Sequence, residues 1–189
     1  ERSGKDLMKI RKNDIFLYGR KMLFQMLEIL YPRRCAVCDE IEVTGKGICP
    51  LCKDKVHVAG EPACKKCGKP LVDERKEFCT DCGKKHHVYT QGKAVFVYEG
   101  GIRNSMYRFK YGNKREYAEF YANAAVEKYG VWLNKIKAEV LIPIPMYSRK
   151  KRLRGYNQAE VFARELGRKA GILVDEHLVR SCLLYTSPS

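Results

Sequence analysis

The chain has 189 residues and a formal net charge of +15, from 37 Lys and Arg against 22 Asp and Glu. This length allows one medium domain, or one small domain and part of another. A charged fraction of 31% with 11% aromatic residues excludes a wholly disordered chain. The positive charge, about +11 if eight thiolates hold two zinc ions, indicates a polyanionic partner such as nucleic acid or a phosphate-rich ligand, with a merely soluble basic surface as the alternative.

Residues 15–30 are predicted to form a helix that ends before Pro32. No transmembrane span is predicted, because Arg20, Lys21 and Glu28 interrupt this apolar segment. We expect its apolar face to dock on the protein's own core within an N-terminal segment 1–32, and a helix lying on a membrane surface is the alternative. The apolar stripe consists of Ile15, Tyr18, Met22, Met26 and Ile29, with Leu23, Leu27 and Leu30 beside it.

Residues 33–88 contain four C-x2-C pairs that form two repeated units. The pairs are Cys35/Cys38, Cys49/Cys52, Cys64/Cys67 and Cys79/Cys82. The two pairs of the first unit recur 29 and 30 residues later in the second unit. This spacing is typical of two four-cysteine zinc sites, in which each pair supplies two thiolates and the metal is structural because no coordination position stays open. The segment is therefore predicted to be a small, β-rich double zinc ribbon.

Several alternatives for these cysteines stay open in the sequence. Disulfides, dithiol redox chemistry and an iron–sulfur cluster also use cysteine pairs. The repeat favours sequential pairing, with one ion held by the first four cysteines and the other by the last four, while spacing also allows interleaved pairing. His86 or His87, which follow the last pair, are potential replacements for a thiolate.

The second half of the chain has the pattern of an α/β domain, which we place at 89–180. A β-rich run at 94–98 precedes two predicted helices within 102–130. Residues 140–145 are predicted to form a buried strand that ends at prolines. A helix at 157–170 and an apolar run at 172–174 follow, so this region is predicted to begin a parallel βαβ sheet.

Residues 149–154 are predicted to be a basic loop that leads into a helix N-terminus. Asn157 with Glu160 is typical of a helix N-cap. Ligands of open α/β sheets bind past the strand ends, and the free N–H groups and dipole of a helix N-terminus favour phosphate. A solvated charged surface is the alternative. The candidate phosphate ligands are Arg149, Lys150, Lys151, Arg152, Arg154, Gly155 and Asn157.

A second basic segment, between residues 103 and 117, alternates cations with aromatic residues. Its members are Arg103, Arg108, Lys110, Lys114 and Arg115, interleaved with Tyr107, Phe109, Tyr111 and Tyr117. Cations follow a nucleic-acid backbone and aromatic rings stack on bases, so the pattern favours single-stranded DNA, with Arg108, Lys110 and Tyr111 as candidate contacts. In the alternative interpretation, half of these aromatic residues are the buried side of helices.

Together these motifs resemble the ComF family, competence-associated proteins similar to amidophosphoribosyltransferases. The matching segments are the four cysteine pairs and residues 31–35, 97–100, 109–111, 142–145 and 154–159. The resemblance spans residues 30–170 and implies a double zinc ribbon followed by a Rossmann-like type I phosphoribosyltransferase-like domain. It also implies a cytoplasmic bacterial protein that handles incoming single-stranded DNA in natural transformation, with a helicase-like partner.

One motif of that family is not found in this sequence. The family has a hydrophobic strand, two acidic residues and a Thr/Gly loop that holds the 5-phosphate of phosphoribosyl pyrophosphate, whereas Asp175-Glu176 leads into His177 and Leu178. We therefore expect an incomplete, catalytically inactive transferase-like domain with no catalytic residue, and a non-native tail at 181–189. Phosphoribosyl pyrophosphate and Mg²⁺ are expected only in a complete homologue.

Three functions are compatible with these observations. The first is a DNA-handling competence protein, which the interleaved cations and aromatic residues favour. The second is a phosphoribosyltransferase of nucleotide salvage, for which no base-binding pocket is identified. The third is a zinc-ribbon adaptor that binds only protein, which leaves the basic loop without a role.

Overall fold

The structure, a computed structural model, describes residues 31–179 together with Met22, Met26 and Leu30. Its elements in chain order are a 3-10 helix at Pro50–Lys55, then α1 (Thr80–Lys84), α2 (Gly100–Tyr111), α3 (Tyr117–Lys135), β1 (Val140–Leu141), α4 (Ser148–Arg154), α5 (Gln158–Ala170) and β2 (Leu173–Val174). None of the helices in this part of the chain is long and apolar enough to cross a membrane.

The predicted N-terminal helix lies mostly outside the described residues. Met22, Met26 and Leu30 are helical, as predicted, and they are 60%, 62% and 71% exposed. The prediction that this apolar face docks on the protein's core is wrong for these three side chains. Gly47, in the first cysteine-containing segment, lies close to α3, where a Cβ at this position would be 3.0 Å from Cβ of Phe120.

Two cysteine modules with the same turn geometry form the first part of the described chain. We call residues 33–56 the first cysteine module and residues 62–84 the second. An antiparallel bridge pairs Arg34 with Ile41 in the first module, and the bridge between Ala63 and Pro70 repeats it 29 residues later. The predicted internal repeat is therefore present in the backbone as well as in the sequence.

The β-rich run at 94–98 pairs with the segment that connects the two modules. Val58 and Phe96 form an antiparallel bridge, and Ala59 N–H donates to the carbonyl of Val95 at 2.9 Å. Residues 94–98 therefore pair with the segment between the two cysteine modules and do not join the sheet of β1 and β2.

The main hydrophobic core lies between the first cysteine module, α2 and α3. Apolar residues recur every three or four positions in α2 and at the start of α3, so one side of α2 and the first turns of α3 are buried. The ring of Phe96 stacks on that of Phe120, with centroids 5.4 Å apart. The buried residues of this core are Ala36, Ile102, Phe109, Tyr117, Ala118, Phe120, Tyr121 and Tyr156.

The parallel β-α-β unit predicted from the sequence is present in a small form. β1 and β2 pair in parallel, with Val140 opposite Leu173, and the chain between them runs through α4 and α5, of which α5 packs along α3. The described residues contain two strands of this sheet. The predicted strand 140–145 ends at Leu141, because Pro143 and Pro145 have no N–H to donate to a neighbouring strand, and Ile144 is 80% exposed.

The basic segment 149–154 is helical, and its prediction as a loop is wrong. α4 includes all of these residues, and Gly155 ends it in the left-handed conformation at φ 78°. Arg, Lys and Leu are good helix formers, and glycine adopts the left-handed C-cap conformation without a Cβ clash. This charged segment therefore lies in a helix of seven residues with no buried side chain.

Candidate metal centres and nucleic-acid interface

The eight paired cysteines form two clusters in the order that the repeat predicts. In each module the first C-x2-C pair lies on a tight turn, and the second lies at the start of a short helix, which is the 3-10 helix in the first module and α1 in the second. The ligand atoms within a cluster all lie within 4.8 Å of one another. Site 1 contains Cys35, Cys38, Cys49 and Cys52, and site 2 contains Cys64, Cys67, Cys79 and Cys82. Sequential pairing is thereby confirmed, and interleaved pairing is excluded.

The sulfur separations fit a tetrahedral zinc ion. Zn–S bonds of about 2.3 Å place the sulfurs of a tetrahedron about 3.8 Å apart. The Sγ atoms of Cys38 and Cys49 are 3.8 Å apart in site 1, and those of Cys67 and Cys79 are 3.7 Å apart in site 2. All eight cysteines are free thiols in the structure, and these separations are far longer than the 2.05 Å of a disulfide bond.

The electrostatics of site 1 favour a cation at its centre. Burial raises the pKa of the Cys35 thiol, but the N–H groups of Cys49 and Val37, each 3.4 Å from its Sγ, help to lower this pKa to about 7. Burial and the neighbouring cysteines raise the pKa of Cys52 to about 12. Because these thiolates repel one another, a divalent cation is needed to bring all four to the charged form.

In site 2, as in site 1, one thiol has a lowered pKa and another has a raised pKa. Backbone N–H groups outweigh burial at Cys64 and lower its pKa to about 6, whereas desolvation and the neighbouring cysteines raise the pKa of Cys82 to about 12. His86 and His87 are not members of either cluster within the described residues. His87 stacks on Tyr89 instead, with ring centroids 5.1 Å apart.

Residues 26–83 match the family model of the double zinc ribbon domain. This part of the chain is a double zinc ribbon. The match agrees with the closed four-thiolate geometry of both sites, which gives the metal a structural role and leaves no position for a substrate. No curated protein and no solved structure matches the chain.

The basic segments of α2 and α4, far apart in the sequence, meet at one surface beside the double zinc ribbon. The guanidinium carbon of Arg154 lies 4.5 Å from the ring centroid of Tyr111, and Nη2 of Arg154 donates to the Tyr111 hydroxyl at 2.9 Å. The ring of Tyr107 lies 5.0 Å from that of Tyr111. We call Tyr107, Lys110, Tyr111 and Arg154 the cation–aromatic surface.

The aromatic residues of this segment divide into a buried and an exposed set. Phe109 and Tyr117 are 3% and 1% exposed and belong to the core, so the interpretation of half the aromatic residues as buried holds for these two. Tyr107 and Tyr111 are 65% and 55% exposed and lie one helical turn apart on α2. Arg108 donates to the carbonyl of Val37 in the first cysteine module, so its guanidinium is already engaged by the protein itself.

The N-terminus of α5 is already capped by side chains of the chain itself. Oδ1 of Asn157 accepts from Ala159 N–H at 3.0 Å, which confirms the predicted N-cap, and Nδ2 donates to the carbonyl of Ile144 at 3.0 Å. Lys151 lies 2.8 Å from Glu160 in the first turn. Of the candidate phosphate ligands, Asn157 and Lys151 are thus engaged, whereas Arg149 and Arg152 are exposed.

Two acidic residues with a structural role were missed in the sequence. Glu42 is 4% exposed and accepts from the N–H groups of Thr44 and Gly47 at 2.5 and 3.1 Å. Asp39 accepts from the hydroxyl of Tyr117 at 2.7 Å and pairs with Lys114 at 2.8 Å. Asp39 lies directly after a cysteine pair, as does Gly68 in the second module, and this glycine-to-acid difference is the signal that points to it.

Proposed function

We propose that this chain is a ComF-like protein that handles single-stranded DNA, with a double zinc ribbon as its structural support. In this proposal it acts in the cytoplasm in natural transformation and works with a helicase-like partner. The observation that supports it best is the contact between Arg154 and Tyr111, which joins two basic segments 43 residues apart in the sequence. This contact places the charges of α4 beside the exposed tyrosines of α2.

The chemistry of the cation–aromatic surface suits a flexible polyanion with exposed bases. Tyr107 and Tyr111 present exposed rings on which bases stack, and every base offers a face for stacking. Arg154 lies over the ring of Tyr111, Lys110 is next to Tyr111 in α2, and Arg149 and Arg152 extend the positive charge along α4. A surface of this kind binds single strands through their backbone charge and base stacking, with little dependence on sequence.

Binding of a labelled oligo-dT at several salt concentrations tests the proposal. Log affinity should fall linearly with log salt, with a slope of about 0.7 per phosphate contact. Replacing Arg149, Lys150, Lys151, Arg152 and Arg154 by Ala should flatten this slope. Tyr111→Ala should weaken binding by about 1–3 kcal/mol through the loss of stacking, whereas Tyr111→Phe keeps the ring and should bind nearly as the natural chain does.

Lys85→Ala is the control, because Lys85 is an exposed cation that directly follows the second cysteine module. This variant should change the affinity for oligo-dT and the salt slope by no more than the loss of one phosphate contact would. Equal slopes for the natural chain and the five-residue variant would contradict the proposal and favour the adaptor function.

The phosphoribosyltransferase-like domain stays part of this proposal, supported by the parallel pairing of β1 with β2 across α4 and α5. We propose no catalysis in this chain. Oδ1 of Asp175 accepts from the N–H groups of His177 and Leu178 at 2.7 and 3.1 Å, and Glu176 pairs with Arg164. These carboxylates are therefore engaged, and phosphoribosyl pyrophosphate with Mg²⁺ should not compete with oligo-dT at micromolar concentration. Such competition would favour the salvage transferase.

A further inference from the structure

The turn of the first cysteine module has an unusual residue at its end. Asp39 has φ 67°, in the left-handed region that L residues other than glycine seldom adopt. The equivalent residue of the second module, 29 positions later, is Gly68 with φ 77°. A glycine would satisfy the turn at position 39 at lower conformational cost, and the carboxylate of Asp39 makes contacts that glycine could not make.

These contacts connect site 1 to the segment between α2 and α3. Cys38, a ligand of site 1, directly precedes Asp39. The carboxylate of Asp39 accepts from Tyr117 at 2.7 Å and pairs with Lys114 at 2.8 Å, and both partners lie more than 70 residues away in the sequence. Arg108 of α2 adds a second link to the same turn by donating to the carbonyl of Val37.

The segment that Asp39 holds continues to the cation–aromatic surface. Arg115, which follows Lys114, lies 4.9 Å over the ring of Tyr156 and donates to the carbonyl of Gly155 at 3.1 Å. Gly155 is the C-cap of α4 and directly follows Arg154. Gln158, the first residue of α5, donates to the carbonyl of Lys110 at 3.2 Å and so connects α5 to the end of α2.

We propose that Asp39 is a positioning residue that couples the metal-bound turn of site 1 to the single-stranded DNA surface. The inference rests on the proposed function. Site 1 fixes the turn, the turn places the carboxylate, and the carboxylate holds the 112–117 segment, which sets Arg154 against Tyr111. Among the described residues, the equivalent turn of site 2 has no side chain to reach the 112–117 segment. Gly68 lies against residues 92–94, which contact α3 where Lys128 and Tyr129 donate to the carbonyl of Ala94. Loss of metal from site 1 therefore disorders the DNA surface, and loss of metal from site 2 does not.

Asp39→Gly tests the coupling without removing a zinc ligand. Glycine suits the left-handed turn, so elemental analysis should still find two zinc ions per chain. Affinity for oligo-dT should fall about fivefold or more, the scale of ordinary coupling between sites. Asp39→Asn should recover part of the affinity, because asparagine tolerates the left-handed region and its carbonyl oxygen accepts from the Tyr117 hydroxyl.

Asp54→Gly is the matched control for charge. Asp54 is an exposed carboxylate on the 3-10 helix of the same module, and both variants raise the net charge by one. Non-specific electrostatics predicts that both bind DNA slightly more tightly, whereas the proposal predicts weaker binding only for Asp39→Gly. Equal binding by the two variants would overturn the proposal, and so would loss of zinc from site 1 in Asp39→Gly.

Hydrogen exchange separates this proposal from the DNA function on which it rests. Amides at the end of α2 and in residues 112–117 should lose protection in Asp39→Gly, with both zinc ions still bound and with protection unchanged in Asp54→Gly. If the natural chain does not bind oligo-dT, the proposed function fails, and this exchange measurement still decides whether Asp39 positions the segment. Unchanged protection in Asp39→Gly would overturn the coupling.

Discussion

The two cysteine modules place the same turn against different neighbours. In the first module, the side chain of Asp39 reaches Lys114 and Tyr117 across the interface with the helices. In the second, a Cβ on Gly68 would lie 2.7 Å from the backbone nitrogen of Ala94, so the backbone itself makes the contact. One repeated metal-binding turn therefore supports two modes of docking, one through a charged side chain and one through close backbone approach.

Burial also differs between the modules, and it is greater in the first module. Ala36 and Val37, between the first two cysteines, are 1% and 6% exposed and pack into hydrophobic clusters. Lys65 and Lys66 occupy the equivalent positions of the second module, and Lys65 is exposed. The buried cysteines of site 1 therefore lie in a cluster that adjoins the main core, with Ile48 and Val56 packed against both, whereas site 2 belongs to neither cluster. This comparison predicts unequal consequences for matched changes in the two modules.

The largest difference is expected when one zinc ligand is removed from each site. Cys52→Ser and Cys82→Ser should each reduce the zinc content from two ions per chain to one. Structural zinc contributes about 10–16 kcal/mol of binding free energy, which exceeds the stability of most domains. Cys52→Ser should therefore unfold the core around α2 and α3, whereas Cys82→Ser should lose structure mainly in residues 62–84. Hydrogen exchange measured by peptide distinguishes these outcomes, and equal loss of protection would contradict the comparison.

A smaller difference is expected from the buried carboxylate of Glu42, which the second module replaces with Leu71. Burial raises the pKa of Glu42, but hydrogen bonds from Thr44 and Gly47 outweigh it and lower the pKa below its ordinary value of 4.5. The stabilisation is therefore fully present above pH 4.5 and is lost as the pH falls through the lower, folded-state pKa. Glu42→Gln should destabilise the chain by about 1–3 kcal/mol at pH 7.

Denaturant unfolding of the natural chain and Glu42→Gln across this pH range checks the prediction. The difference between the two should shrink below pH 4.5, and this difference removes the effect of thiolate protonation, which both chains share. Glu40→Gln, an exposed carboxyl of the same module, is the control and should change stability by less than about 0.5 kcal/mol. A pH-independent difference for Glu42→Gln would show that the carboxylate charge is not what stabilises the turn.

An effect of similar size is expected at the contact between the first module and the start of α2. A Cβ on Gly101 would lie 2.7 Å from Cγ1 of Val37 and 2.8 Å from the carbonyl oxygen of Lys55. Gly101→Ala should therefore overpack this interface and destabilise the chain by about 1–3 kcal/mol. Gly83→Ala in α1 meets no atom within 4 Å and should be neutral or stabilising by up to about 1 kcal/mol. Thermal unfolding checks both, and a neutral Gly101→Ala would mean that the module is not closely docked.

The sequence predicted the features that depend on local spacing. The C-x2-C pairs and their repeat fixed both clusters, because four thiolates within one module need only a short chain to meet. The Asn157 cap of α5 and the glycine that ends it at Gly171 followed from the same kind of local signal. The two helices predicted within 102–130 correspond to α2 and α3, although α3 continues to Lys135.

The sequence did not predict the features that depend on contacts between distant residues. Asp39 and Tyr117 are 78 residues apart, and Arg108 and Val37 are 71 residues apart. The comparison of Asp39 with Gly68 in the repeat marks Asp39 as unusual, but no local pattern identifies its partners or distinguishes Arg108 from a solvated cation. The helix α4 was missed for a different reason, since five charges in six residues obscure a favourable helix propensity.

The bridge between Val58 and Phe96 has a consequence for how the chain is completed during synthesis. The cysteines of site 1 span residues 35–52, so they can bind metal as soon as that short segment is available. The docking face around Ala36 stays uncovered until Phe96 and the α2–α3 residues up to Tyr121 have been made. At about 5–20 residues per second, this interval of some 70 residues lasts roughly 4–14 s. During that time an apolar, metal-loaded module is exposed to chaperones and to other nascent chains.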